Sequence, residues 1–152
     1  MNWATREAAK DLRKEQDAAN AIEKSVREAR LKDSRGMELF EQLHAWMERQ
    51  AKSYNEQMQK RMIEVGEIKI FGGMDSHHYF QVSDASHARS PMKISYRAAD
   101  HRITVECGAG QKQYTLTVGD NENVYYETPY HQLRTIEELG EELMSFWKGA
   151  QF

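Results

Sequence analysis

A chain of 152 residues is one ordinary domain, or a smaller one with an extension. It is 30% charged and 39% apolar, and its mean hydropathy of −0.84 is low for a compact globule but does not force disorder, since 10% of it is aromatic. A net charge of −3 excludes a polycation that seeks phosphate.

The chain changes character near residue 66. Residues 1–65 hold 13 Lys/Arg, 12 Asp/Glu, no proline and a single glycine, whereas residues 66–152 hold 8 and 12 with the other eight glycines and both prolines. Two regions follow: 1–65, helical and coiled-coil-like, and 66–152, an antiparallel sheet with a C-terminal helix. The boundary falls at about 64–67.

Ala, Glu, Lys, Arg and Gln dominate the first region, and these favour helix. Apolar residues recur at the alternating 3–4 spacing of a coiled-coil seam. One frame runs through Ala8, Leu12, Ala19, Ile22, Val26 and Ala29 and continues through Phe40, Leu43, Met47 and Tyr54. The seam is poor early, where Thr5 and Glu15 hold core positions, and richer later, where Leu39, Trp46, Ala51, Met58 and Met62 widen it. Asp33 and Gly36 also fall on the frame and suit it badly. Two readings follow. One is a helical hairpin over about 4–32 and 37–65; the other is a single bent helix of about 60 residues, roughly 90 Å long. Gly36 and Asp33 favour the hairpin and the unbroken frame favours the single helix; the hairpin is marginally preferred.

Six runs with period-2 alternation fill the second region. They centre on Ile68 and Ile70; His78, Phe80 and Val82; Ile94 and Tyr96; Ile103, Val105 and Cys107; Tyr114, Leu116 and Val118; and Val124 to Tyr126. Clean alternation means one buried face and one wet face. The links at 98–101, 108–110 and 119–121 are short enough for hairpins, so 93–127 reads as an antiparallel meander. The longest link is 83–91. Thr135 and Glu138 then form a capping box ahead of Ile136, Leu139, Leu143, Phe146 and Trp147, which share one helical face that the sheet is expected to receive. The fold class is α+β: a long N-terminal helix or helical hairpin, a mainly antiparallel sheet of about six strands, and a C-terminal helix packed on it.

The chemistry-bearing residues are sparse. Asp75, His77, His78 and His87 are close in sequence, but His77 and His78 point to opposite faces of a regular strand, so no metal site is expected. The lone Cys107 excludes an intramolecular disulfide and a multi-thiolate site, and it fits no catalytic signature. No catalytic residue and no cofactor are assigned. The tyrosines could stack bases, but basic residues do not cluster beside them, which disfavours nucleic acid. The opening segment lacks the apolar centre of a signal peptide, and no window approaches the ~20 apolar residues that span a bilayer. A reducing, cytoplasmic setting and no membrane partner are expected.

The stripe Leu39, Phe40, Leu43, Trp46, Met47, Tyr54 and Met58 is the strongest candidate for partner binding, because aromatics and Met are enriched at interfaces. Packing on the chain's own sheet is the competing reading for the same residues. The expected function is a non-enzymatic interaction or assembly module that self-associates, as a homodimer or larger, or binds another protein, through the helical region. The alternative is a small-ligand or enzymatic domain with a pocket between sheet and C-terminal helix, for which His78, Tyr79, His87 and Cys107 are the first residues to test.

Overall fold

Helix α1 (Trp3–Lys60) runs without interruption through the segment favoured above as a hairpin turn. At 1.5 Å per residue its 58 residues extend about 87 Å. The computed structural model describes residues 2–60, 68–71 (of Phe71 the backbone alone), 78–85, 89–108 and 110–149. Met62, the boundary at 64–67, Asp75, His77 and His87 lie outside the described residues.

The hairpin reading is corrected for a physical reason. Asp33 and Gly36 are poor residues for a seam between helices, but the surface opposite them is not a helix. The Asp33 carboxylate meets the His101 ring, Oδ1 to Nε2 at 2.5 Å, and Gly36 is buried against Tyr96. Both residues dock the helix rather than end it. At the other end, Asn2 caps α1 by accepting a hydrogen bond from the Thr5 amide at 2.9 Å.

Seven strands follow in simple succession, each antiparallel to the next: β1 (Ile68–Phe71), β2 (Tyr79–Asp84), β3 (Met92–Arg97), β4 (Arg102–Cys107), β5 (Gly110–Val118), β6 (Val124–Glu127) and β7 (Leu133–Arg134). The expected meander is present, with β7 added at one edge. Register pairs Phe80 with Ile94, Ile94 with Val105, Ile103 with Tyr114 and Leu116 with Tyr126. Residues paired across strands share a face, so these side chains form one apolar surface. Burial alternates strictly along β2, β3 and the first four residues of β4, as a sheet covered on one side requires.

Helix α2 (Ile136–Gly149) and the second half of α1 lie side by side on that surface. The capping box at the start of α2 is formed reciprocally: the Glu138 amide donates to Thr135 Oγ1 at 3.3 Å, and the Thr135 amide donates to Glu138 Oε1 at 3.2 Å. Leu139, Leu143 and Trp147 are fully buried, while Ile136 and Phe146 are half-buried. The Trp147 indole donates to the Ser90 carbonyl at 3.1 Å. Gly140 lets the helices approach, because a β-carbon there would overlap the Trp46 ring. The edge strand β1 is clipped to α1: Asn55 donates to the Ile68 carbonyl and accepts from its amide, both at 2.9 Å. Among the described residues, no helix is long and apolar enough to cross a membrane.

Candidate interaction surface

The two halves of α1 have opposite environments. From Gly36 to Ala51 the helix buries Gly36, Leu39, Phe40, Leu43, His44, Met47 and Ala51, the spacing of one helical face. Phe40 lies 5.4 Å from Phe80 and 5.6 Å from Tyr96 between ring centroids, and the His44 imidazole stacks on Phe80 at 4.4 Å. Four of the seven residues expected to bind a partner, Leu39, Phe40, Leu43 and Met47, are thus interior side chains of the chain's own core. In this fold they have no surface to present. An aromatic and Met-rich stripe is what any apolar face requires, and here the sheet supplies that face.

Trp46, Tyr54 and Met58 stay half-buried. Trp46 and Tyr54 line a groove of about 300 Å³ between α1 and α2, with Met144 and Lys148 opposite. The Lys148 ammonium donates to the Tyr54 hydroxyl at 3.1 Å and lies 4.3 Å from the Tyr54 ring centroid.

The first half of α1 is solvated. Residues 2–27 are all exposed except Glu7, which is half-buried. Among the described residues, the first ion pair from α1 to the sheet layer is Arg27 Nε to Glu122 Oε1 in the β5–β6 turn, at 3.1 Å. Lys24, Arg27, Glu28 and Leu31 border the same turn. The stretch before Lys24 leaves the body as a bare helix. It carries Ala8, Leu12, Ala19 and Ile22 of the seam, which continues through Val26 and Ala29 beside the turn; Leu12 and Ile22 are each 66% exposed, Val26 46%. This stripe continues the frame that packs on the sheet further along. Period alone could not show which half would be covered.

The residues named for a ligand site are not assembled. The Tyr96 amide donates to the His78 carbonyl at 3.0 Å, which places His78 at one end of β3. Cys107 pairs with Met92 at the other end, four residues or about 13 Å away. Burial raises the pKa of the Cys107 thiol, which favours an inert sulfur. Tyr79 lies on the polar face of β2, with Lys93 Nζ 4.9 Å from its ring centroid. Among the described residues, no three His, Cys, Asp or Glu side chains converge in a way that could hold a metal ion.

No protein-family model matches the chain, and no curated protein or solved structure is significantly similar to it.

Proposed function

We propose that this protein is a non-enzymatic assembly module that self-associates through the projecting half of α1. One observation carries the reading. A helix of more than twenty residues stands clear of the body and bears an apolar stripe that nothing in the described chain covers. Helices gain most of their stability from packing an amphipathic face, not from propensity. A stripe with Leu, Ile and Val on it calls for an occupant, and closed homo-oligomers are the commonest soluble assemblies. Alanine fills three of its six main positions, so the contact is small and the expected association is in the micromolar range.

Against the ligand-site alternative stands the packing between sheet and α2. Leu139, Leu143 and Trp147 fill that interface at 0% exposure.

The test is sedimentation of the full chain across concentration, beside a chain lacking residues 1–26. The full chain should shift from monomer to dimer or larger while the truncated chain stays monomeric and keeps its thermal unfolding transition. A full chain that stays monomeric throughout overturns the proposal.

A further inference from the structure

Resting on that self-association, we propose that the second copy lies antiparallel along residues 3–30 of α1, with the two-fold axis passing beside residue 17. In this register Leu12 faces the partner's Ile22, Val26 faces the partner's Ala8, and Glu15 faces the partner's Ala19.

The first observation is Glu15, which occupies a seam position. In a parallel, in-register pair that position meets itself, and two carboxylates would oppose each other inside the contact. Like charges so placed are destabilising. In the antiparallel register each Glu15 lies over an alanine, and its carboxylate reaches water past a small side chain.

The second observation is the body itself. The seam frame that carries Leu12 and Ile22 also carries Gly36, Phe40, Leu43 and Met47, and these are already covered by the chain's own sheet. In a parallel pair both bodies would have to occupy the space between the two helices from about residue 31 onward. The antiparallel pair avoids this. The partner's helix begins at Trp3, opposite residue 31; the β5–β6 turn borders Lys24, Arg27, Glu28 and Leu31, which are off the seam, and the first seam residue the body meets is Asp33, at His101. The bodies then sit at opposite ends of the rod.

The third observation is the spread of side-chain size. A parallel pair would put two alanines together in the layers at 8, 19 and 29 and two large side chains together at 12, 22 and 26, whereas the antiparallel register keeps Leu12 with Ile22 but forms no seam layer of two alanines. The antiparallel register sets Val26 against alanine. Beside the axis Ala18 meets the partner's Ala18, and small residues there permit close approach. No like charges meet along either flank: Asp11 lies beside the partner's Ser25, and Glu23 beside the partner's Ala9. Four heptads give an overlap about 42 Å long. At a contact width of about 10 Å the two footprints together approach the ~1,000 Å² that separates specific interfaces from incidental ones. The area, roughly 840 Å², is that of a weak, reversible pair, and the overlap cannot lengthen without meeting the bodies.

The experiment is disulfide trapping in the full chain, with sedimentation run alongside. Val26 and Ala8 share a layer only in the antiparallel register, whereas Ala19 meets its own copy only in the parallel one. An Ala8→Cys chain mixed with a Val26→Cys chain should give a mixed disulfide dimer in at least tenfold excess over that from either chain alone. The Ala19→Cys chain should not cross-link to itself. The parent chain, with only the buried Cys107, is the control. A dimer that cross-links through Ala19→Cys overturns the orientation and leaves the self-association standing. A chain that sediments as a monomer throughout overturns both.

Discussion

Gly36 of α1 and the Tyr96 phenol of β3 occupy the same place in the packing: a β-carbon on Gly36 would overlap the tyrosine oxygen. The glycine is where helix and sheet come closest, so it acts through what it lacks. Mid-helix glycine costs about 1 kcal/mol relative to alanine, and Gly36→Ala would recover that amount if space allowed. Here overpacking outweighs it, and Gly36→Ala should destabilise by about 1–3 kcal/mol in urea unfolding. Tyr96→Phe removes the atom nearest the new methyl group. The double variant should therefore regain part of the loss, an energetic coupling that a double-mutant cycle reads directly. Additive losses would mean that the two residues do not share the space.

Trp147 holds α2 to the sheet. It is 0% exposed, its indole donates to the Ser90 carbonyl, and the Arg89 guanidinium lies 5.5 Å from its ring centroid. Trp147→Ala should cost about 3–5 kcal/mol. For a chain of this length that lowers the melting temperature by at least about 6 °C. A melting curve within a degree of the parent would contradict the packing described.

The alkaline limb of stability should be steep. Burial, with Tyr96 nearby, pushes the pKa of Tyr126 up from its ordinary value near 10, and its hydroxyl has no hydrogen-bond partner among the described residues. Burial first, then the Glu142 carboxylate, raises Tyr114 in the same direction. A raised pKa keeps the folded state protonated while the unfolded chain ionises. Stability is thus full below about pH 10 and falls as pH rises from there toward the folded-state values. One buried tyrosine contributes a slope of about 1.4 kcal/mol per pH unit. Tyr126→Phe removes that contribution along with an unpaired buried hydroxyl. The variant should be more stable by about 1 kcal/mol near neutrality, with a shallower decline in urea unfolding at pH 10–11. Lower stability at neutrality with an unchanged slope would count against this account.

Much of the architecture was legible because alternation is a local signal. Phe80 and Val82, or Ile103 and Val105, announce a one-sided strand without knowledge of neighbours, and Thr135 with Glu138 announces a helix start. β7 was not legible, since Leu133–Arg134 is too short to show a period. The role of Gly36 was hidden for another reason: helix stop and close approach both select glycine, and only the position of Tyr96 separates them. Leu39, Phe40, Leu43 and Met47 show the same ambiguity on a larger scale. A seam records that something apolar lies opposite, not whether that something is a sheet of the same chain or a second chain. The candidate surface then fell to Leu12, Ile22 and Val26, which sit on the same frame but are outweighed in sequence by the richer stripe.

Hydrogen exchange should divide α1 in two. Amides at 39–47 belong to a helix whose buried face carries Leu39, Phe40, Leu43 and Met47, so they open only with the core. Amides at about 6–26 belong to a helix with an N-cap and favourable composition whose side chains, among the described residues, are exposed at every position but Glu7. Propensity alone leaves such a segment near the helix–coil balance. In dilute solution these amides should be protected by no more than about tenfold, since local opening of uncovered helix costs close to nothing. Association covers Leu12, Ile22 and Val26, and opening must then first break the contact. Protection at 6–26 should therefore rise with protein concentration, in step with the dimer fraction seen by sedimentation, while protection at 39–47 stays constant. Leu12→Asp or Ile22→Asp should abolish that rise and leave 39–47 untouched, because both side chains are remote from the core. Protection at 6–26 that is high and independent of concentration would show the segment to be held within one chain, and the stripe would then need no second copy.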